Sequence, residues 1–289
     1  MKPVRKVVIP VAGLGTRVLP ATKSIPKELL PVVDRPLIDY VVAEAREAGV
    51  EQVILVTGRG KGAIEEYFDH AFELEASLAQ KSKDALLREV RATVPKAGTV
   101  SYTRQQAPLG LGHAVWCARE LVGDEPFAVS LPDEIVPGRP GFLKQMIDAY
   151  SKTGGNIVAV EEVDRSETGK YGVIAPKSRK GDLIEMTGMV EKPKPEDAPS
   201  TFRIIGRYIL QPEIFRLLET QEKGAGGEIQ LTDSMNRLTR MQSFHACICK
   251  GIIHDCGSKL GWLQANIDLG LKTPEFSEAL SAYIRSRVS

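Results

Sequence analysis

The sequence IPVAGLGTRVLPATKSIPKELLP, residues 9–31, decides the fold, and it continues an apolar run at residues 7–9 that predicts a buried strand. Gly13 and Gly15 break that strand. Glycines one residue apart allow positive φ and let successive backbone N–H groups point into one concavity, where they bind an anion. Prolines punctuate the stretch and predict a shaped loop instead of a helix, at Pro10, Pro20, Pro26 and Pro31. Arg17, Lys23 and Lys27 add cations beside the glycines, so the pattern is typical of a polyphosphate site.

Two common phosphate motifs do not fit the glycine spacing. The dinucleotide fingerprint G-x-G-x-x-G needs a third glycine where Val18 stands, which argues against a nicotinamide-dependent enzyme. A P-loop around Gly60-Lys61 would need glycine in place of Leu55 and a hydroxyl residue in place of Gly62. A plain strand-to-helix turn remains the alternative for the first two glycines.

The composition bounds the class of protein. With 289 residues, 43% of them hydrophobic, the chain is long enough for one large α/β domain or two small ones. It has 38 Lys and Arg against 37 Asp and Glu, so no overall positive field attracts nucleic acid and any anion site must be local. Since the sequence has no signal-peptide pattern and no uncharged run of about 18 residues, we expect a cytoplasmic protein that does not enter a membrane.

The cysteines raise the possibility of a zinc site. Three of the four lie beside histidines, in His245-x-Cys247-x-Cys249 and His254-x-Cys256. Structural zinc sites usually separate their cysteines by two to four residues, whereas C-x-C on a strand puts the two sulfurs on one face about 7 Å apart. We therefore expect reduced, packed thiols, as is usual in the cytosol.

Periodicity predicts alternating strands and helices at the start of the chain. A helix at 36–49, a strand at 52–56 and a helix from about residue 63 give a β-α-β-α opening, which builds a parallel sheet. Residues 70–95 predict one or two outer amphipathic helices. Further strands are predicted at 100–105, 126–131, 156–161, 203–210 and 244–249.

The pattern changes after residue 170. Short segments at 171–174, 183–186 and 189–192 predict three turn-separated antiparallel strands. The glycine-rich run at 224–227 predicts a flexible turn, and Thr232 is expected to cap the next helix. No linker or internal repeat is evident, so we expect one domain over residues 1–289.

Residues 12–31 resemble the signature of the sugar-1-phosphate nucleotidylyltransferase family. Six further motifs follow in that family's order: Gln105-x4-Gly110-Leu111-Gly112-His113, Leu131-Pro132-Asp133, Val190-Glu191-Lys192-Pro193, Gly206-Arg207-Tyr208, Gly227-Glu228-Ile229-Gln230-Leu231-Thr232-Asp233 and Asp255-Cys256-Gly257-Ser258-Lys259. The likeness covers nearly the whole chain and is greatest to bacterial members that use UTP and glucose 1-phosphate.

The resemblance implies an α/β, three-layer Rossmann-like nucleotidyltransferase fold. Its central sheet would be mixed and mostly parallel, with a small antiparallel sugar-binding subregion. The single domain would comprise a nucleotide-binding part at about 1–135, a sugar-binding part at about 136–257 and C-terminal helices at about 258–289.

The resemblance also implies the chemistry: Mg²⁺-assisted transfer of a uridylyl group from UTP to glucose 1-phosphate, with release of pyrophosphate. The attacking sugar-phosphate oxygen is already anionic, so the protein has to bring two anions together and stabilise the added charge. A homodimer or homotetramer in polysaccharide biosynthesis is implied. Two alternatives stay open: another nucleotide sugar pyrophosphorylase that uses dTTP or another sugar 1-phosphate, and a non-catalytic nucleotide-binding regulator.

The resemblance assigns roles to individual residues. The expected nucleotide-binding residues are Ala12, Gly13, Gly15, Thr16, Glu28, Gln105 and Gly110, with Gln105 on the uracil ring. The expected catalytic residues are Arg17 on the leaving pyrophosphate, Lys27 near the α-phosphate, Asp133 on the metal and Lys192 on the sugar phosphate. The expected sugar-phosphate residues are Gly172, Glu191 and Lys192.

Mg²⁺ is expected on the carboxylates of Asp133 and Asp255. Asp133 follows a buried strand, and ligands of open α/β sheets collect at the carboxyl ends of strands. Hard oxygen ligands shared between a carboxylate and a triphosphate suit this ion. Asp255 has a nearly equal alternative as a structural residue of the Asp255-Cys256-Gly257 turn.

Overall fold

The computed structural model describes residues 1–224 and 227–288. Its strands are β1 (Lys6–Pro10), β2 (Pro31–Val32), β3 (Arg35–Pro36), β4 (Gln52–Thr57), β5 (Val100–Arg104), β6 (Phe127–Ser130), β7 (Glu134–Ile135), β8 (Asn156–Glu162), β9 (Gly172–Lys180), β10 (Leu183–Glu191), β11 (Phe202–Leu210), β12 (Phe244–Ile248) and β13 (His254–Asp255). The helices are α1 (Leu37–Glu47), α2 (Gly62–Tyr67), α3 (Phe72–Gln80), α4 (Asp84–Thr93), α5 (Leu111–Cys117), α6 (Arg119–Val122), α7 (Phe142–Thr153), α8 (Ile214–Glu219), α9 (Leu231–Leu238), α10 (Lys259–Gly270) and α11 (Ser277–Val288).

A mixed sheet of nine strands forms the middle layer, in the order β5-β4-β1-β6-β11-β8-β12-β10-β9. Strand β1 alternates between two cores, because successive side chains of a strand point to opposite faces. Val7 and Ile9 pack with α1, α7 and α10 on one face. Val8 packs with α5, α8 and α9 on the other face. The expected three-layer α/β class is therefore confirmed.

Parallel pairing is less extensive than expected. It joins β5-β4-β1-β6 and the pair β8–β12. Strand β11 is antiparallel to both β6 and β8, and β10 is antiparallel to both β12 and β9. The half of the sheet that contains β1, β4, β5 and β6 matches the predicted parallel opening, whereas antiparallel pairs take a larger share of the other half than the sequence indicated.

The three short strands predicted between residues 171 and 192 are two long ones. β9 and β10 form a hairpin at the edge of the same sheet. The predicted break after residue 186 is a register shift between Glu185 and Gly188 within β10. A β-bulge bends a strand without ending it, which is why the sequence suggested two segments there.

Other local predictions have mixed outcomes. Residues 70–95 do form two outer helices, α3 and α4. Thr232 is not a helix cap: it lies inside α9, and its hydroxyl donates to Glu191 Oε2 instead. The turn predicted at 224–227 includes residues 225 and 226, which lie outside the described residues. In the described part of the chain, no helix is long and apolar enough to cross a membrane.

Candidate active site

A cavity of about 470 Å³ opens at the carboxyl ends of β1 and β6. Because these parallel strands are neighbours, the loops that follow them meet at one edge of the sheet, where ligands of open α/β sheets bind. Segments distant in sequence meet there: the lining residues are 10, 12–18, 27, 105, 108, 110, 111, 114, 131–133, 228 and 257.

The loop after β1 forms one wall of the cavity. Gly15 has a φ of +67°, whereas Gly13 does not have the positive φ that the sequence suggested. A Cβ on Gly15 would lie 3.2 Å from both Lys27 Cβ and Thr22 Cβ, so the loop packs tightly on the segment that carries Lys27. The Thr22 hydroxyl donates to the Gly15 carbonyl at 2.7 Å and fixes the turn.

Asp133 lies at the centre of a charged cluster. Lys27 Nζ donates to Asp133 Oδ2 at 2.6 Å, and Arg17 Nη2 lies 3.4 Å from the same oxygen. Burial alone would raise the pKa of the Asp133 carboxyl, but Lys27 and Arg17 outweigh burial and hold that pKa below its ordinary value. The carboxylate is therefore ionised and has two cations beside it.

Asp255 reaches the same point from β13. Asp255 pairs in register with Glu134 of β7, and the Cys256 N–H donates to the Asp133 carbonyl at 2.8 Å. A Cβ on Gly257 would lie 2.7 Å from Asp133 Oδ2, 2.8 Å from Arg17 Nη2 and 2.9 Å from Asp255 Oδ1. Two carboxylates and a guanidinium thus face one place, and only glycine leaves that place open.

These carboxylates fit Mg²⁺ if a substrate supplies further oxygens. Mg²⁺ in phosphoryl-transfer sites is usually bound by one or two carboxylates together with substrate phosphates. Across residues 1–224 and 227–288, no group of three or more His, Cys, Asp or Glu side chains could hold a metal by itself. Asp255 also keeps a structural bond, because its Oδ1 accepts the Gly257 N–H at 2.9 Å.

Gln105 is buried at the cavity, and both hydrogens of its amide are used. Nε2 donates to the Gly110 carbonyl at 3.1 Å and to His113 Nδ1 at 3.0 Å. Burial lowers the pKa of His113, which keeps the ring neutral and able to accept. The side chain of Gln105 can therefore offer its carbonyl oxygen, an acceptor, to a ligand.

The Gly110 backbone is held against the segment after α8. Gly110 has φ +107° and ψ 176°, a conformation that essentially only glycine adopts. A Cβ there would lie 2.7 Å from Glu228 Cβ and 2.9 Å from the Ile229 N and O. Ile229 N–H donates to the Leu109 carbonyl at 2.7 Å, which closes the wall.

Glu28 lies outside the lining of this cavity, and its expected nucleotide-binding role stays a prediction. It lies in a short 3-10 helix, Lys27–Leu29, and its carboxylate is buried. Lys61 Nζ donates to Glu28 Oε2 at 2.7 Å. Glu28 therefore joins the loop after β1 to the segment after β4.

The expected sugar-phosphate residues lie together, but outside the described cavity lining. A Cβ on Gly172 would lie 3.1 Å from Glu191 Oε2, and Lys192 Nζ is 3.8 Å from Glu191 Oε1. Alternation along the strand predicted at 189–192 would place the Glu191 and Lys192 side chains on opposite faces. Lys192 follows the end of β10 with a φ of +47°, so strand alternation does not apply to it.

Several residues that shape this region are not among the predicted site residues. His113 orients Gln105, Thr232 donates to Glu191 at 2.7 Å, and Glu228 lines the cavity beside Gly110. All three stand within the ordered motifs, which was the available signal. Arg207, also in a motif, lies beneath the Asp133 loop and is fully buried.

Known proteins resemble the chain along nearly its whole length. Residues 6–270 match the family model described as nucleotidyl transferase. A UTP–glucose-1-phosphate uridylyltransferase of Staphylococcus epidermidis is 48% identical over 285 residues, which is 99% of each protein.

Two solved structures are similar in fold as well as in sequence. A UTP-bound UGPase from Acinetobacter baumannii is 45% identical, with a TM-score of 0.90 over 97% of this chain and 98% of that one. A UDP-glucose pyrophosphorylase complexed with UDP-glucose is 43% identical, with a TM-score of 0.86 over 93% and 100% of the two chains.

Proposed function

Because this chain belongs to the nucleotidyl transferase family, we propose that it transfers a uridylyl group from UTP to glucose 1-phosphate, giving UDP-glucose and pyrophosphate. The proposal rests on one observation above all. Lys27, Arg17 and Asp133 converge in a cavity whose other wall carries the Gln105 amide. Cations beside a metal-binding carboxylate suit a triphosphate, and an oriented amide suits a base.

Charge stabilisation is the protein's main contribution to this reaction. The sugar-phosphate oxygen attacks the α-phosphorus, its bond to phosphorus forms, and the bond to the pyrophosphate oxygen breaks on the opposite side. Since the attacking oxygen is already anionic, no side chain has to remove a proton. Arg17 binds the leaving pyrophosphate, and Lys27 offsets the charge that develops on the α-phosphate oxygens.

The assignment of Mg²⁺ to Asp133 and Asp255 is part of this proposal. When bound, the ion supplies Lewis-acid stabilisation of the phosphate oxygens. Lys27 Nζ now contacts the Asp133 oxygen that faces Gly257. We expect Lys27 to exchange that contact for the α-phosphate when the nucleotide binds, because the flexible lysine can move while the Asp133 backbone is held.

Different residues recognise the base and the sugar. Gln105 Oε1 accepts the N3–H of uracil, which cytosine does not have. Glu191 accepts from sugar hydroxyls and is fixed by the Thr232 hydroxyl at 2.7 Å. Lys192 binds the sugar phosphate, and its half-exposed side chain leaves the ammonium free to reach that group.

The setting of the enzyme completes the proposal. The product would feed polysaccharide biosynthesis in the cytoplasm, and the working form would be a homodimer or a homotetramer. A pyrophosphorylase that prefers dTTP or another sugar 1-phosphate, and a non-catalytic regulator on the same fold, are the alternatives to be tested.

Release of pyrophosphate separates these functions. The protein is incubated with Mg²⁺, UTP and glucose 1-phosphate, and pyrophosphate and UDP-glucose are quantified together; parallel reactions omit the sugar phosphate or replace UTP with dTTP, CTP, ATP or GTP. We expect equimolar products that require both substrates. Nucleotide binding without pyrophosphate would support the regulator, and faster turnover with dTTP would support the other pyrophosphorylase.

A further inference from the structure

The Pro132-Asp133 turn is supported from below by one fully buried arginine. Arg207 lies on β11, beside β6, and its side chain has no exposed surface. Arg207 is a charged residue within the largely apolar, buried strand FRIIGRYIL, so packing alone does not explain its presence there. Taking a guanidinium out of water is costly unless it is paired and fully hydrogen-bonded.

Arg207 meets that condition with all five N–H donors. Nε and Nη2 donate to Glu44 Oε2 at 3.1 and 2.7 Å, and Nη1 donates to the Leu131 and Gly206 carbonyls at 3.1 Å each. Nη2 also donates to the Glu134 carbonyl at 2.7 Å. Burial lowers the pKa of Arg207, but Glu44, with smaller contributions from Glu134 and Asp133, more than offsets this, so the pKa is raised and the group stays charged.

Two of these acceptors flank the metal-binding carboxylate. The Leu131 and Glu134 carbonyls stand on either side of Pro132-Asp133, so one rigid planar group sets the span of the turn. The Leu131 N–H donates to the Gly206 carbonyl at 2.8 Å, and the Gly206 N–H donates to Glu134 Oε2. The segment is thus held at both ends by β11.

Glu44 fixes the arginine in turn. It is a carboxylate on the buried face of α1, and its Oε1 accepts the Leu143 N–H at 2.9 Å, in the first turn of α7. Gly141 leaves room for it, because a Cβ there would lie 2.7 Å from Glu44 Cγ. Two helices and a central strand therefore define where Arg207 lies.

We propose that Arg207, fixed by Glu44, is a positioning residue that holds the Asp133 carboxylate, and through the β7–β13 pair the Asp255 carboxylate, in the geometry that binds the metal. The inference rests on the proposed function, because it concerns the metal of that reaction. Glu134 pairs with Asp255, so a shift of the Glu134 carbonyl moves both carboxylates together. Lysine has three donors and no planar fork, so it cannot replace the five hydrogen bonds that Arg207 makes.

The test uses Arg207→Lys and the double variant Arg207→Met with Glu44→Leu, which removes both buried charges. Ile209→Ala is the matched control, because Ile209 is a fully buried residue of the same strand that packs in the core shared with α1. Circular dichroism tests whether each variant is folded. If the double variant does not fold, the result for Arg207→Lys decides the question.

Mn²⁺ binding to the UTP complex, without sugar phosphate, is measured by electron paramagnetic resonance, and UTP affinity is measured without metal. Partners that orient metal ligands typically contribute 10- to 100-fold to metal affinity. We expect Mn²⁺ to bind at least tenfold more weakly in both Arg207 variants, with metal-free UTP affinity within about threefold of wild type and unchanged Mn²⁺ binding in Ile209→Ala.

The half-saturating Mg²⁺ concentration for pyrophosphate release should rise in parallel with that loss. Arg207 variants that bind Mn²⁺ as the Ile209→Ala control does would overturn the inference. If instead the wild type releases no pyrophosphate, the proposed function fails, and the Mn²⁺ data still report on the metal geometry.

Discussion

Substitution of Gln105 by alanine should remove most of the discrimination between UTP and CTP. The buried amide spends both hydrogens on the Gly110 carbonyl and His113 Nδ1, at 3.1 and 3.0 Å, so only its oxygen faces a base. Uracil presents a donor at N3, whereas cytosine presents an acceptor. In the wild type, Gln105 Oε1 therefore accepts a hydrogen bond from UTP, whereas with CTP it faces a second acceptor, cytosine N3.

The magnitude follows from the burial of the amide. Leaving one buried hydrogen-bonding group without its partner costs about 1–3 kcal/mol, which corresponds to roughly 5- to 150-fold in a rate constant. Gln105→Ala should lower kcat/KM for UTP by that factor and change kcat/KM for CTP much less. His113→Phe, which removes the Nδ1 acceptor but keeps an aromatic ring beside Trp116, should give part of the same loss.

The assay is pyrophosphate release at saturating glucose 1-phosphate with each nucleotide varied in turn. Gln106→Ala is the matched control, since Gln106 is the next residue, is exposed and does not line the cavity. A Gln105→Ala enzyme that keeps the wild-type ratio of UTP to CTP would refute the reasoning, and base recognition would then have to come from the main chain.

Three further predictions concern the sugar phosphate, the Gly110 turn and pH. Lys192→Ala should raise KM for glucose 1-phosphate about tenfold and leave KM for UTP nearly unchanged. A hydrogen bond to a charged group contributes about 1.5–3 kcal/mol, and the half-exposed Lys192 ammonium should contribute the lower part of that range. Equal losses for both substrates, or the same loss in the exposed control Lys194→Ala, would contradict the assignment. Gly110→Ala should weaken UTP binding, measured by calorimetry, more than tenfold, because the alanine Cβ would meet backbone atoms of Ile229 at 2.9 Å. Gly98→Ala is the control: Gly98 has a φ of +80° but no atom within 4 Å of the added Cβ, so this variant should lose only stability. Burial lowers the pKa of His113 from 6.5, so the neutral ring stabilises the fold above pH 6.5, and that contribution is lost as pH falls through the lowered pKa. The ratio of kcat/KM for UTP to that for CTP should be constant from pH 7 to 9 and should fall in acid. A ratio that stays constant in acid would show that His113 has no part in base recognition.

Features that depend on a local pattern were predictable from the sequence. The glycine and proline spacing after β1 predicted the loop that lines the cavity, and the apolar run before Asp133 predicted a carboxylate at a strand end. Gln105 was predicted to end a strand at 100–105, and it directly follows β5, which ends at Arg104. Each of these predictions needs only a strand, its direction and the residue after it.

Features that depend on long-range partners were not predictable. Glu28 stands among cavity residues in sequence, but its 3-10 helix turns the side chain towards Lys61, a partner 33 residues away. Arg207 looks misplaced in an apolar strand until Glu44, 163 residues away, supplies its counter-ion. The direction of the Lys192 side chain depends on its backbone φ of +47°, and no residue pattern around Lys192 indicates that angle.

The turnover number of Asp133→Asn tests most directly whether this cavity is the reaction centre with Asp133 on the metal. Asparagine keeps the volume of the side chain but removes the anion that Lys27 and Arg17 now surround. A Lewis-acid metal supplies several kcal/mol of transition-state stabilisation. Because each 1.36 kcal/mol corresponds to a factor of ten in rate, kcat should fall at least about 100-fold. Metal-free UTP affinity should stay close to wild type, and high Mg²⁺ or Mn²⁺ should restore part of the rate. Near-normal kcat for Asp133→Asn at sub-millimolar Mg²⁺ would contradict the account and make Asp255 the carboxylate that holds the ion.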